Sequence, residues 1–265
     1  MQIHKFIFGT NTKMYMGIAD TINYVRHLNM EMTYENLTGI KVFVLPSFPA
    51  IEPAAKEVAG SGLLIGSQNI GWESEGAFTG EVSPLMLREA GASIVMIGHS
   101  ERRHILGETD ELVNKKVRCA FAHGFTVLLC IGETREEKEA GIADEILSVQ
   151  IKRDLNGVKL DCLEKLWVAY EPVWAIGAGG EAAGVEYVCE RHRGIRAALN
   201  KVFVCETTGK IPLLYGGSVS QQNAEELALL PEVDGLFVGR AAWHAESFGE
   251  IIKRVISRLV TSGNI

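Results

Sequence analysis

The amino-acid sequence predicts an α/β protein, a (β/α)8 barrel built as a single domain over residues 1–265. Three observations predict it. Eight short apolar runs recur along the chain, stretches of helical period separate them, and the length suits eight strand–helix units, which typically occupy about 250 residues. The runs cover residues 5–9, 41–45, 63–66, 93–98, 126–131, 167–170, 212–215 and 235–239. Several are apolar almost without interruption, as in Val127-Leu128-Leu129 and Leu236-Phe237-Val238. Strands covered on both faces read this way, and a parallel sheet is covered on both faces because its crossover helices lie there.

Between the runs, Thr134-Arg135-Glu136-Glu137 sets a Thr cap three residues before a Glu and opens a helix towards Arg153. Residues 183–204, 220–230 and 246–260 read as further helices. A doubly wound open sheet is the competing fold. Its dinucleotide-binding form needs G-x-G-x-x-G after the first strand, where this chain has Gly9-Thr10-Asn11-Thr12. No linker or charge run marks a domain boundary. The longest non-periodic piece, residues 68–81, is rich in Gly, Ser and Thr, and loops of that length commonly serve function or a partner.

Composition narrows the classes. Hydrophobic residues make up 47% of the chain, enough for a large core and too many for a disordered protein. Lys and Arg number 26 against 33 Asp and Glu, a net charge of −7, so neither nucleic acid nor an anionic membrane finds a basic footprint. The five cysteines, Cys119, Cys130, Cys162, Cys189 and Cys205, are odd in number and widely spaced. They predict reduced thiols and a cytoplasmic location rather than a disulfide framework or zinc site. The start Met1-Gln2-Ile3-His4-Lys5 lacks signal-peptide character, and no apolar stretch reaches the roughly 18 residues of a membrane span. His4, His27, His104, His123, His192 and His244 show no metal-ligand spacing, and no metal is expected.

In a barrel, polar residues at the carboxyl ends of the strands face one shared mouth. The strand exits supply Asn11 and Lys13 after the first run, His99 after the fourth, Glu133 after the fifth and Glu171 after the sixth. Gly216-Gly217-Ser218 follows the seventh and Gly239-Arg240 the eighth. A carboxylate, an imidazole, a cation and two glycine-bearing turns suit proton transfer beside a carbonyl on a small anionic substrate. Singly, each has a plainer reading. Lys13 is a solvated lysine, Arg102 and Arg103 are ion-pair donors, His99 is a core histidine, Glu133 is a helix-start carboxylate and Gly216-Gly217 is a turn.

The motifs Asn11-x-Lys13, Gly76-Ala77-Phe78-Thr79-Gly80-Glu81-Val82-Ser83 and Gly98-His99-Ser100-Glu101-Arg102-Arg103 stand in the chain beside two others. Those are the block from Ala169 through Glu171-Pro172-Val173-Trp174-Ala175-Ile176-Gly177, and Tyr215-Gly216-Gly217-Ser218-Val219. In kind and order this set resembles the triosephosphate isomerase family over nearly the whole chain. The resemblance implies an aldose–ketose isomerase of glycolysis and gluconeogenesis. It would interconvert dihydroxyacetone phosphate and D-glyceraldehyde 3-phosphate through an enediolate, without a cofactor. Glu171 would be the base, His99 a neutral imidazole polarising the carbonyl, and Lys13 the oxyanion's cation, oriented by Asn11. Backbone N–H groups at Gly177, Ser218, Gly239 and Arg240, beside Gly217, would cradle phosphate. Residues 172–180 would form a mobile lid in which Gly177, Gly179 and Gly180 let the backbone approach phosphate and Trp174 exchanges partners between Tyr170 and Glu133. Glu101 and Tyr215 would support the site. The 68–81 loop would enter a second subunit, Thr79 reaching the partner's Asn11 and His99 region and Glu81 pairing with the partner's Arg102, to make a homodimer.

Three departures from the family pattern stand out. Thr12 replaces the usual Trp and Tyr15 an Asn in the first loop; the lid ends Gly179-Gly180-Glu181-Ala182 instead of Gly-Lys-Thr-Ala; and Arg240 replaces a Gly, with Trp243 soon after. Arg240 is expected to border the phosphate pocket, its guanidinium either clamping phosphate or pointing into solvent. The changed first loop keeps an alternative substrate open, the four-carbon erythrulose 1-phosphate or 4-phosphate, isomerised by the same proton transfer. Other readings are a non-catalytic phosphosugar-binding barrel, which needs no base, a glycosidase using Glu171 with Glu133, which needs aromatic sugar platforms, and a Schiff-base aldolase on Lys13.

Overall fold

The computed structural model describes residues 6–32, 39–177, 179–203, 209 and 211–265. Eight parallel strands close into a barrel in chain order: β1 (Phe6–Asn11), β2 (Ile40–Leu45), β3 (Leu64–Ser67), β4 (Ile94–Ile97), β5 (Thr126–Ile131), β6 (Leu166–Tyr170), β7 (Leu213–Tyr215) and β8 (Gly235–Val238), the last paired with the first. Helices cross back over the outside, among them α1 (Ile18–Glu31), α2 (Ile51–Glu57), α3 (Pro84–Glu89), α4 (Ser100–His104) and α5 (Asp110–Ala122). After β5 come α6 (Arg135–Glu139) and α7 (Ala143–Asp154), then α8 (Val185–Val202), α9 (Ala224–Ala228) and α10 (Ala245–Thr261).

The continuous apolar runs are explained by two cores. Alternate residues of each strand, such as Phe8, Val42, Val44, Val95, Val127, Leu129 and Val168, pack outward under the helices. Those between them, such as Ile7, Phe43, Met96, Leu128, Trp167 and Phe237, fill the barrel itself. Phe43 spans the interior, its ring centroid 5.7 Å from that of Phe237 and 5.8 Å from that of Trp167. Gly9 must be glycine there, because a Cβ on it would overlap the Phe43 ring.

The strands match the apolar runs within two residues at each end. Two helices differ from expectation. The stretch opened by Thr134 is not one helix: the capping box forms, but Gly141 takes φ +74° and ends α6 before α7 begins. Residues 220–230 yield only α9, because Asn223 accepts from the Ser220 N–H and donates to the Ser218 carbonyl, folding 218–223 as a loop. Val204, at the end of another expected helix, lies outside the described residues, as do His4, Lys5 and Cys205.

Arg103 ties the fold to the barrel mouth. Its guanidinium donates to the carbonyls of Gly98 (2.7 Å) and Cys130 (3.2 Å) and pairs with Asp110 (2.7 Å) and Asp154 (2.5 Å). It therefore joins the end of β4 to the end of β5 while pairing with one oxygen of a fully buried aspartate. The 68–81 segment contains no helix or strand. Its base is held by the Gly71 N–H to Val82 carbonyl bond (2.8 Å) and by Ser74 against His123 (3.0 Å), while residues 75–81 at its tip are exposed.

Candidate active site

Strand ends bring Asn11, Lys13, His99, Glu101, Glu171, Gly177, Gly217, Ser218, Gly239 and Arg240 onto one cavity of about 330 Å3. Asn11 ends β1 and its Oδ1 accepts from the Lys13 backbone N–H at 2.8 Å. That bond holds Lys13 in a left-handed conformation (φ +52°), unique to it among the described non-glycine residues. Such a conformation is strained for a side-chain-bearing residue and is kept only where the surroundings over-determine it. The result aims the Lys13 ammonium across the mouth, where it pairs with the Glu101 carboxylate.

His99 follows β4 and caps α4. Its Nδ1 accepts the Glu101 backbone N–H at 3.2 Å. With Nδ1 taken up as an acceptor, Nε2 is the ring nitrogen placed to donate. That Nε2 lies 3.8 Å from Oε1 of Glu171.

Glu171 follows β6 and is buried. Its backbone N–H donates to the Ile131 carbonyl at 2.8 Å, which locks it to β5. Burial pushes its carboxyl above the ordinary carboxylate range, and His99, the Cys130 thiol and Lys13 pull it part of the way back. Oε2 has no hydrogen-bond partner. A Cβ on Gly216 would come within 2.6 Å of the Glu171 Cγ, so only glycine leaves the carboxylate where it stands. Cys130, in the core that fills the barrel, lies against Glu171, and burial followed by that carboxylate's charge pushes its thiol upward.

Glu133 is fully buried, but it does not line the cavity. Its Oε1 accepts from the Tyr170 hydroxyl (3.1 Å), the Trp174 indole (2.8 Å) and the Tyr187 hydroxyl (2.9 Å). Trp174 therefore rests on Glu133, with Tyr170 sharing the same oxygen. Lys138 covers the Trp174 ring with its ammonium 3.5 Å from the centroid. In the 172–180 segment, expected to form a lid, Gly177 takes φ +83° at the cavity wall and a Cβ on Gly179 would meet nothing. Gly180 is needed for another reason, since a Cβ there would press on the Ala175 carbonyl of the lid itself. Glu181 pairs with Arg135 at 3.3 Å.

Tyr215 ends β7 with its hydroxyl buried, and a Cβ on Gly217 would collide with it. Arg240 lines the cavity from an exposed position, and its guanidinium makes no hydrogen bond or ion pair among the described residues. Its φ is not positive, so the Gly-to-Arg departure carries no backbone strain. Tyr15 and Trp243 also line the cavity, a role that strand-exit reasoning did not find. Thr79 and Glu81 lie away from it on the exposed loop tip, and Arg102 is engaged by Glu108 at 2.6 Å. Among the described residues no group of three His, Cys, Asp or Glu side chains is placed to hold a metal ion, and no helix is long and apolar enough to cross a membrane.

A family model described as triosephosphate isomerase matches residues 6–255. The chain is 44% identical over 250 residues to a triosephosphate isomerase of Carboxydothermus hydrogenoformans, covering 94% of this chain and 97% of that protein. It is 43% identical over 249 residues to an L-erythrulose-1-phosphate isomerase of Rhizobium etli, covering 93% and 91%. The crystal structure of a triosephosphate isomerase from Bartonella henselae superposes with a TM-score of 0.84 at 32% identity, over 94% of this chain and 98% of that one.

Replacing Glu133 strands three donors at once. Glu133→Ala is expected to lower stability by about 1–3 kcal/mol for each donor left unpaired in the interior. Urea unfolding measures the loss, and limited proteolysis is expected to cut the 173–180 segment faster than in the wild type.

Proposed function

The chain belongs to the triosephosphate isomerase family and is an isomerase, and from that membership we propose that it interconverts dihydroxyacetone phosphate and D-glyceraldehyde 3-phosphate through an enediolate in the barrel mouth. One observation carries the reading. A buried carboxylate, Glu171, keeps one oxygen without a partner beside the His99 imidazole, on a cavity whose far wall is loop backbone.

In this reading Glu171 takes the proton from the carbon next to the carbonyl. The released pair forms the carbon–carbon double bond, and the carbonyl pair moves onto oxygen. His99 donates from Nε2 to that oxygen, and Lys13, freed from Glu101, faces the developing charge with Asn11 holding its turn. His99 then recovers a proton from the neighbouring hydroxyl, and Glu171 returns its own to the adjacent carbon. Preplaced donors matter because charge gathering on oxygen must be met without reorganisation in a dry site. The backbone at Gly177, Ser218 and Gly239, with Gly217 beside them and Arg240 at the rim, would hold the phosphate. A lid resting on Glu133 through Trp174 would exclude water and so keep phosphate from leaving the enediolate. Glu101 and Tyr215 would act on neighbours, Glu101 on Lys13 and His99, Tyr215 on the Gly217 turn.

A second substrate, L-erythrulose 1-phosphate, is favoured by the relative of that name and by Tyr15, Arg240 and Trp243, which alter the same wall of the cavity. A purely phosphosugar-binding barrel would have no use for the bare Glu171 oxygen. The reading takes residues 1–265 as one catalytic domain and places it in the cytoplasm, where thiols such as the free Cys119, Cys130, Cys162 and Cys189 stay reduced. It also makes the enzyme a homodimer through the 68–81 loop, with Thr79 and Glu81 at the contact. Exposed Met14, Leu85, Met86, Ile105 and Leu106 supply apolar surface for such a contact.

Assay with both sugar phosphates tests the substrate, and triose phosphate turnover is expected. Glu171→Gln should lower kcat by about 10²–10⁴, the usual share of a positioned base, and Glu171→Asp by about a hundredfold, the effect of an ångström's retreat. Since only the ionised carboxylate accepts a proton and burial raises its pKa, kcat/KM should fall on acidification at a pH above the ordinary carboxylate value of about 4.3. Arg240→Gly is expected to raise KM about tenfold or more at unchanged kcat, the effect of losing a hydrogen bond to a charged group, and an unchanged KM would remove the clamp. Sedimentation should give a dimer that shortening the 75–81 tip dissociates, whereas a monomeric wild type would refute the assembly.

A further inference from the structure

β4 ends at Ile97, level with Leu129 of β5, and the chain turns away through Gly98. β5 runs on to Ile131, and beyond that level side chains take up part of its backbone. The Arg103 guanidinium takes the Cys130 carbonyl. Gln150 does more. Its Oε1 accepts the Gly132 N–H and its Nε2 donates to the Gly132 carbonyl, both at 3.0 Å. One side-chain amide thus closes both hydrogen bonds of one residue, as a neighbouring strand would. Gln150 is buried on α7, one turn before Asp154, and that spacing puts the two on one face of the helix. Since Asp154 holds Arg103, this face of α7 reaches the β5 exit at two points, Cys130 through Arg103 and Gly132 directly.

Gly132 is the residue against which Glu171 rests. A Cβ on it would come within 2.0 Å of the Glu171 carbonyl oxygen and 3.3 Å of the Pro172 nitrogen, so its bare Cα lies against the Glu171–Pro172 peptide. The residues on either side of it accept from the chain leaving β6. Ile131 takes the Glu171 N–H at 2.8 Å, and Glu133 takes the Val173 N–H at 2.9 Å. Gly132, between them and buried, gives both of its groups to Gln150. Without that amide, a residue with unusually free backbone angles would be left to find other partners, and the surface under Glu171 would shift with it.

Resting on the isomerase reading above, we infer that Gln150 is a positioning residue for the reaction. It fixes the Gly132 backbone, and through it the place at which Glu171 meets the substrate. Gln150 does not line the cavity and touches no reacting atom. Ser218 and Gly239, which would grip phosphate, stand in the loops after β7 and β8, outside this relay. Its loss is therefore expected in turnover and not in binding.

The test compares the wild type with Gln150→Met, which keeps the volume and removes both hydrogen bonds. Leu147→Val is the control, since it loosens the buried face of the same helix and leaves the amide in place. Each is assayed on whichever of triose phosphate and L-erythrulose 1-phosphate the wild type turns over. Gln150→Met is expected to lower kcat about ten- to a hundredfold with KM within about twofold of wild type, the effect of a misplacement of up to an ångström. A loosened backbone also admits water to Glu171, so the acid limb of kcat/KM is expected to move down by about half a pH unit or more. The groups facing that carboxyl, His99, Lys13, Glu101 and Cys130, are the same in every variant, so the shift reports the backbone. Leu147→Val is expected to unfold at lower urea yet keep the wild-type acid limb. Should Gln150→Met not fold, Gln150→Asn, an amide one carbon short, takes its place. A kcat that falls only in step with the folded fraction, the acid limb unmoved, would mean that Gln150 merely ties α7 to the barrel, and it would overturn the inference. So would a KM that rises while kcat holds. A wild type inactive on both sugar phosphates would instead overturn the isomerase reading, and the inference with it, a result distinct from an unmoved acid limb.

Discussion

A carboxylate held out of water with one oxygen uncommitted is the constraint around which this molecule is built. Ionised groups are costly to bury, by several kcal/mol each even after relaxation, and Glu171 is buried at the end of β6. The cost is offset by position rather than by a salt bridge. His99 and Lys13 lower it from across the mouth without closing a hydrogen bond on Oε2. The β5–β6 pairing, the Ile131 carbonyl and the missing side chain at Gly216 hold the group there. A loose loop could not keep a carboxylate in so unfavourable a setting, whereas a closed ring of parallel strands can.

Glu133 shows how differently the same side chain fares one strand away. It too ends a strand and is buried, and its Oε2 also lacks a partner, yet its Oε1 receives three donors from Tyr170, Trp174 and Tyr187. Those bonds commit it to holding Trp174 and the segment that carries it. Two glutamates at neighbouring strand ends are thus separated into a structural acceptor and a proposed base by the number of donors each receives. A two-carboxylate glycosidase does not fit, because Glu133 is outside the cavity and already engaged.

Two of the three departures from the family pattern gather in one sector. Thr12, Tyr15, Arg240 and Trp243 all lie in the loops after β1 and β8, while Glu171 and His99 follow β6 and β4. A barrel permits this separation, since each loop varies on a scaffold the others share. The changes after β1 therefore flank Asn11 and Lys13, in a family whose members carry the names of both a triose and a tetrulose phosphate isomerase.

Strand number, order and the inventory of polar strand exits were legible in the linear chain, because a two-sided parallel strand and a capped helix each leave a local signature. Thr134 and Glu137 announced their capping box, and Asn11, Lys13, His99 and Glu171 announced a cluster. The helix break at Gly141, the folding of 218–223 around Asn223 and the engagement of Glu133 were not legible, since each depends on a backbone angle or a partner that periodicity does not encode. Nor was the meeting of Tyr15 with Trp243, which lie at opposite ends of the chain and touch only because β8 pairs with β1. Which groups gather at the mouth thus follows from local pattern; which oxygen stays bare, and which rings wall it in, follows from closure of the barrel, because those distances arise between residues that only the closed ring makes neighbours.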